Sequence, residues 1–157
     1  MPTFDAENQA RDAKDNRPFV SISKNGNLLP SVLEVLDVIG KHQLVLATGH
    51  STPDETLQLI REARLRGIKS IIVTHPMIPP VRMSGDQMQE AARLGAKLEF
   101  VYNALVGTTK FFEIGEYATA MRAVGPENIV LSSDLGQESN PLHPDGLATF
   151  LKELSAA

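Results

Sequence analysis

The stretch Ser70-Ile71-Ile72-Val73-Thr74-His75-Pro76 decides the fold of this chain. Its continuous run of β-branched residues is typical of a parallel strand that is covered on both faces. Pro76 cannot donate to a neighbouring strand and pushes His75 towards extended geometry, so we expect the strand to end there. The run therefore predicts a buried parallel strand with an imidazole at its carboxyl end, where α/β proteins place their chemistry.

The same arrangement recurs on either side of this strand. Candidate helices end in glycine at intervals of 27, 28 and 30 residues, and a short link and a strand follow each glycine. The glycines are Gly40, Gly67, Gly95 and Gly125, and the strands are expected at residues 44–48, 70–74, 98–102 and 129–132. Glycine suits the left-handed conformation just past a helix. The pattern predicts repeated βα units around a parallel sheet.

The expected helix starts carry their own signals. Thr52-Pro53-Asp54-Glu55 and Ser84-Gly85-Asp86-Gln87 both have the form of a capping box, which favours a helix at that point. Other helices are expected from Pro30 to Gly40 and over roughly residues 145–154. Three arginines are expected on the solvent-exposed face of the helix that follows Thr52: Arg61, Arg64 and Arg66.

The 157 residues are expected to form a single α/β domain, because this length supports one core and gives no reason for a division. Residues 1–29 are expected to be an irregular or hairpin segment. Within it, residues 1–18 are interpreted as a strand remnant followed by a loop, and the alternation of residues 19–23 before turn residues 24–27 predicts a hairpin. Residues 30–157 are expected to hold the repeated αβ units.

The composition excludes several functions. The chain is 42% apolar with a net charge of −4, and it has no basic cluster that would neutralise nucleic-acid phosphates. The absence of cysteine excludes disulfides, thiolate metal sites and a cysteine nucleophile. No apolar run approaches the roughly 18 residues of a membrane span, and residues 1–16 do not resemble a signal peptide. We therefore expect a cytoplasmic protein that binds neither nucleic acid nor a membrane.

A polar residue stands at the carboxyl end of each expected strand. These residues are His50, His75, Asn103 and Asp134, at spacings of 25, 28 and 31 residues that keep step with the βα period. Because equivalent ends of successive parallel strands lie at one edge of the sheet, the four side chains can converge there. Two imidazoles and a carboxylate are a reasonable ligand set for zinc or a similar divalent ion. A carboxylate beside such an ion can also take a proton from the attacking water.

Several of these residues also have ordinary structural explanations. A histidine at a strand end can bond to loop backbone, and Asp134 can cap the loop or the helix that follows it. Glu99 can point into the interior as a ligand or supporting group, or it can pair with Lys97 or a neighbouring helix. Residues in loops at the carboxyl ends of strands commonly determine substrate choice. The candidates for contacting a small-molecule substrate are Asn103, Glu99, Arg82 and His143.

Three segments together carry a family likeness. They are Gly49-His50 with the helix start at residues 52–55, residues 71–76, and Leu131-Ser132-Ser133-Asp134-Leu135-Gly136. Over about residues 43–140 the chain resembles the second half of the TIM-barrel metal-dependent hydrolases of the amidohydrolase superfamily. In that family histidines end strands five and six, and an aspartate ends strand eight. The resemblance implies that His50 and His75 bind a divalent metal, zinc above others, and that Asp134 is a ligand or the general base.

The sequence also departs from that family. It contains no His-x-His pair, which the family carries on its first strand, and the family's bridging lysine or glutamate near strand four has no convincing counterpart. Residues 2–5 look like the tail of an internal strand, and a closed barrel needs roughly 200–250 residues. We therefore expect an incomplete (β/α)8 barrel of about four to five units. It is either a truncated portion of a longer protein or an open α/β layer, whose apolar sheet edges favour a homo-oligomer.

Two functions follow from these observations. The first is a metal-dependent hydrolase, or a decarboxylase-like lyase, in which activated water attacks a C–O, C–N or P–O bond of a small molecule. The alternative is a catalytically incomplete half-barrel that acts as a fragment, scaffold or oligomer subunit. A flavodoxin-like or nucleotide-binding domain is a third interpretation, which the lack of a Gly-rich phosphate loop after any expected strand argues against.

Overall fold

A computed structural model describes residues 1–107 and 110–157 of the chain as alternating helices and strands. The strands in these residues are β1 (Ser23–Lys24), β2 (Asn27–Leu28), β3 (Leu46–Ala47), β4 (Ile71–Val73), β5 (Lys97–Val101) and β6 (Ile129–Ser132). The helices are α1 (Glu7–Asp12), α2 (Pro30–Lys41), α3 (Pro53–Leu65), α4 (Gly85–Arg93), α5 (Ile114–Val124) and α6 (His143–Ala156). Short 3-10 turns occupy Tyr102–Leu105 and Pro126–Asn128. No described helix has the length and apolar character needed to cross a membrane.

Strands β3, β4, β5 and β6 form a parallel sheet in that order, with one helix between each pair of neighbours. The prediction of parallel βα units is therefore confirmed. Strands β1 and β2 form the expected antiparallel hairpin. The hairpin turns at Asn25 and Gly26, whose φ values of 52° and 78° suit a tight two-residue turn.

The helices cover only one face of this sheet. Strands that succeed one another in a single direction place every right-handed crossover on the same side. The covered face is buried on β3, β4 and β5 and half-buried on β6. Its residues are Leu46, Thr48, Ile71, Val73, Leu98 and Phe100, and Ile129 and Leu131 on β6. On the opposite face Ala47 is exposed and Ile72, Glu99 and Val130 are half-buried. The expectation that β4 is covered on both faces is therefore wrong, because a β-branched run does not reveal on which side the helices lie.

Gly40 does not have the role that the sequence suggested. Gly67, Gly95 and Gly125 have φ values of 73°, 87° and 94°, as expected for glycines that follow helices. Gly40 instead lies inside α2, and Gln43 takes the left-handed conformation beyond it with φ 51°. A Cβ atom on Gly40 would lie 2.9 Å from the carbonyl oxygen of Arg66. Glycine is needed there for close packing of α2 against the end of α3.

The N-terminal residues run alongside β3. The amino group of Met1 donates to the carbonyl oxygen of Ala47 over 3.0 Å. The backbone amide of His50 donates to the carbonyl oxygen of Pro2 over 2.9 Å. Residues 1–5 contain a bend and a turn but no strand, so the expected strand remnant is not confirmed. The prediction of a loop in the following residues is wrong where they form helix α1. This helix lies near the carboxyl end of the sheet and buries Ala10.

The two expected capping boxes are present, at Thr52 with Glu55 and at Ser84 with Gln87. The expected solvent face of α3 is only partly correct. Arg61 is exposed, whereas the half-buried guanidinium of Arg64 donates to the carbonyl oxygens of Ile68, Lys69, Leu94 and Gly95. Arg66 is half-buried and pairs with Asp37 and Glu62. Arg64 therefore ties α3 to the link before β5.

Candidate functional site at the carboxyl edge of the sheet

Two imidazoles meet beyond the carboxyl ends of β3 and β4. The Nε2 atoms of His50 and His75 are 2.9 Å apart, and their rings are tilted by 57° with centroids separated by 4.7 Å. The segments that carry them are joined by threonine hydroxyls. Thr48 Oγ1 accepts from the amide of Thr74 over 3.2 Å, and Thr74 Oγ1 accepts from the amide of Gly49 over 3.1 Å. These bonds hold the two histidine-bearing segments in register.

The backbone at two of the candidate residues is strained. His75 has a φ of 22° and Asp134 a φ of 49°, both in a region that residues with a Cβ rarely adopt. The expectation that Pro76 makes His75 extended is therefore wrong. Non-glycine residues in such conformations cluster at functional sites, where the surrounding structure holds them in place. The φ of 22° sets His75 apart from the other described non-glycine residues with positive φ, whose values lie between 48° and 52°.

A glutamine from α1 sets the orientation of His50. The glutamine is Gln9, and its Oε1 atom lies 2.8 Å from His50 Nδ1. Because an amide oxygen can only accept, this bond places the hydrogen of His50 on Nδ1 and leaves an unprotonated Nε2 facing His75. On the other side of the pair, His75 Nδ1 is buried and has no hydrogen-bond partner in the described part of the chain. Sequence reasoning missed Gln9 because α1 itself was unexpected.

The environment keeps His50 neutral. Burial lowers the pKa of its imidazole from 6.5 to about 4, and the neighbouring His75 adds to the decrease. A neutral imidazole is the form that binds a metal ion, because the ion needs the lone pair that a proton would otherwise occupy. At neutral pH His50 is therefore in a form that can bind.

Asp134 and Asn103 form a second polar group at the same edge. Asn103 Nδ2 lies 3.4 Å from Asp134 Oδ2, and Asn140 Nδ2 donates to Asn103 Oδ1 over 2.9 Å. Asn103 is buried, whereas Asp134 is exposed. Because β4 and β6 are separated by β5, the ends of these two strands are roughly 10 Å apart.

The four strand-end residues thus form two pairs, His50 with His75 and Asn103 with Asp134. In residues 1–107 and 110–157 no group of three or more His, Asp or Glu residues is close enough together to hold a metal ion.

The remaining substrate-contact candidates lie around this edge. Glu99 points to the uncovered face of the sheet and accepts from Ser132 Oγ over 2.8 Å. Arg82 forms an ion pair with Asp12 of α1. His143, the first residue of α6, lies with Nδ1 2.9 Å from Ser133 Oγ.

A cleft of about 750 Å³ opens between α1, the β1–β2 hairpin and the start of α3. Its charged walls include Glu7, Arg11, Lys24 and Asp54. A small cavity beside it includes His50 and shares Glu7 with the cleft. The cleft therefore adjoins His50. This cleft was not predictable from the sequence, because its walls come from three separate segments.

Residues 1–99 match the model of a family of unknown function, DUF6282. No curated protein and no solved structure matches the chain.

Proposed function

We propose that this chain, which belongs to the DUF6282 family of unknown function, is a metal-dependent hydrolase of the amidohydrolase type acting on a small molecule. The observation that carries the proposal is the histidine pair. The Nε2 atoms of His50 and His75 face each other over 2.9 Å at the carboxyl edge of a parallel sheet. His75 is held there in a strained backbone conformation.

The donor atoms fit a divalent ion. Two imidazole nitrogens bound to one zinc ion at about 2.0–2.1 Å are about 3.3 Å apart in tetrahedral geometry and about 2.9 Å apart at a right angle. The observed 2.9 Å lies at the lower of these values. Imidazole nitrogens suit zinc, and His50 is already neutral and unprotonated at Nε2. Two protein ligands are fewer than a zinc site normally has, so we infer that water, substrate or a second chain completes the set.

The chemistry at this edge is hydrolysis of a C–O, C–N or P–O bond. A divalent ion, when bound by His50 and His75, polarises the bond to be broken and makes a water molecule more acidic. Asp134 is the general base: its exposed carboxylate takes one proton from the attacking water and returns it to the leaving group. Asn103 orients that carboxylate through its amide. Glu99, Arg82 and His143 flank the edge and are proposed to contact the substrate.

The finer fold assignment is part of this proposal. A parallel sheet with all its helices on one face is the arrangement of successive units in a (β/α)8 barrel. In that arrangement the uncovered face, with Ile72, Glu99 and Val130, is the interior of the barrel. We infer that the chain forms an incomplete barrel of this kind.

The uncovered face also favours a second candidate function. A sheet with apolar residues on a face must cover that face with another layer. Ala47, Ile72 and Val130 lie on the uncovered face and are exposed or half-buried. Together with the lack of a third metal ligand in the described residues, this supports a catalytically incomplete half-barrel that acts as a scaffold or as a subunit of a homo-oligomer.

Metal binding separates the two functions. The chain is purified without a chelating column, and its zinc and manganese content and its zinc affinity are measured by elemental analysis and titration calorimetry. The hydrolase proposal expects about one equivalent of metal, and a loss of at least tenfold in affinity for His75→Asn. His42→Asn is the matched control, because His42 is exposed and lies before β3.

Circular dichroism of each variant shows whether it has folded. Failure of the folded wild-type chain to bind metal after it is added back overturns the hydrolase proposal. Sedimentation of that metal-free protein as a stable oligomer would then support the scaffold.

A further inference from the structure

We infer that Gln9 is a positioning residue for the histidine pair, because it selects the tautomer in which His50 Nε2 is free to bind. The inference about the tautomer stands on the hydrogen bonds alone. Its consequence for metal affinity rests on the proposed function. Gln9 comes from a helix 41 residues before His50 in the sequence.

The bond between these residues leaves one tautomer. Gln9 Oε1 accepts a hydrogen bond at 2.8 Å, so the hydrogen lies on His50 Nδ1. A neutral imidazole has a single N–H, so His50 Nε2 presents a lone pair. In the metal-free protein the 2.9 Å contact is then a hydrogen bond donated by His75 Nε2, and metal binding has to remove that hydrogen from Nε2.

The state of His75 agrees with this assignment. If its Nε2 carries the hydrogen, its buried Nδ1 is an acceptor without a partner and not an orphaned N–H group. Buried N–H groups without a partner are rarer in proteins than under-satisfied acceptors. The unpartnered His75 Nδ1 therefore costs less if it is an acceptor, which is its state when Gln9 places the hydrogen of His50 on Nδ1.

Gln9 is held in place by the residues around it on α1. Asn8 Nδ2 donates to the carbonyl oxygen of Pro80 over 2.9 Å, and Asp12 forms an ion pair with Arg82. Both contacts reach the segment that follows β4 and His75. Helix α1 is therefore anchored to the segment that carries one histidine while its Gln9 bonds to the other. These contacts place the backbone of Gln9 within reach of the pair.

The test reads the tautomer directly. Long-range proton–nitrogen NMR correlation on metal-free protein with ¹⁵N-labelled histidine distinguishes a protonated Nδ1 from a protonated Nε2. The wild-type chain is expected to have His50 protonated at Nδ1. Gln9→Met removes the acceptor while keeping the side-chain length, and it is expected to shift His50 towards Nε2–H. Zinc affinity, measured by calorimetry, is expected to fall about 10–100-fold in this variant.

Two further variants keep the test decisive. Gln9→Glu retains an acceptor, so it should keep the Nδ1–H tautomer and bind zinc at least as tightly as the wild type. Gln58→Met is the matched control, because Gln58 bonds to Gly26 away from the histidines and should change neither readout. If Gln9→Met fails to fold, the wild-type tautomer and the Gln9→Glu variant still decide.

The inference is overturned if wild-type His50 is protonated at Nε2, or if folded Gln9→Met keeps both the tautomer and the zinc affinity. If the wild-type chain binds no zinc, the proposed function fails. The NMR result then still decides whether Gln9 positions His50.

Discussion

Asn103 donates a long hydrogen bond of 3.4 Å to the carboxylate of Asp134, and so joins the polar ends of β5 and β6. Asn140 donates to the oxygen of the same amide over 2.9 Å, so the amide of Asn103 cannot turn over without losing both bonds. The carboxylate is thereby oriented at an exposed position. It lies on a different strand end from the histidine pair, which separates the proposed base from the proposed metal ligands.

This separation predicts that Asp134→Asn changes turnover and not metal binding. If Asp134 is the general base, kcat on activated esters or phosphoesters should fall about 10²–10⁴-fold. Zinc affinity should stay within twofold of the wild type, because the carboxylate does not contact the histidines. Glu138→Gln, an exposed change in the following loop, is the control. A parallel loss of zinc binding would make Asp134 a ligand instead of a base.

The lowered pKa of His50 predicts a pH dependence of stability. Between about pH 4 and pH 6.5 the imidazole is protonated in the unfolded chain but neutral in the folded one. The unfolded state therefore binds more protons, and the free energy of unfolding should decrease as the pH falls from 6.5 towards 4. His50→Gln should lack this component of the decrease. Urea unfolding of both metal-free proteins across this pH range provides the measurement. If the free energies of unfolding of the two proteins fell in parallel with pH, the lowered pKa of His50 would be contradicted.

The close approach at Gly40 predicts opposite results for two glycine substitutions in helices. Gly40→Ala places a methyl group 2.9 Å from the carbonyl oxygen of Arg66, and it should destabilise the fold by about 1–3 kcal/mol despite the better helix propensity of alanine. Gly85→Ala meets no atom within 4 Å and should be neutral or stabilise by up to about 1 kcal/mol. Thermal and urea unfolding compare the two. Equal effects would show that α2 can move away from Arg66.

Two arginines of α3 provide another matched pair. Arg64→Met removes the donor from four carbonyl oxygens and should lower the free energy of unfolding by about 1–3 kcal/mol. Arg61→Met breaks only an exposed ion pair with Glu90 and should cost about 0–1 kcal/mol. Urea unfolding compares the two variants. A larger loss in free energy of unfolding for Arg61→Met than for Arg64→Met would contradict this interpretation.

The sheet was predictable from the sequence, because β-branched runs and glycines recur at the period of a βα unit. The same period located His50 and His75, since the side chain after each strand falls at one edge. Helix α1 was not predictable. It has six residues and a single buried apolar side chain, too few for a helical period to be recognised. Gln9 was lost with it.

The role of Arg64 shows a second limit of sequence reasoning. An apolar stripe predicts which side of a helix faces the core, but it cannot predict where free carbonyl groups of another segment lie. The partners of Arg64 include Leu94 and Gly95, which are thirty or more residues further along the chain. A charged residue that satisfies backbone groups therefore has the same sequence signature as one in solvent.

The positive φ angles at His75 and Asp134 have a consequence for how this protein can be engineered. Each such conformation costs of order 1–3 kcal/mol for a residue with a side chain, and glycine would largely avoid this cost. A search for thermostable variants would therefore include these two positions. Any gain made there would remove an imidazole or a carboxylate from the candidate site. At the ends of β4 and β6, substitutions that make the fold more heat-resistant therefore remove residues of the candidate site.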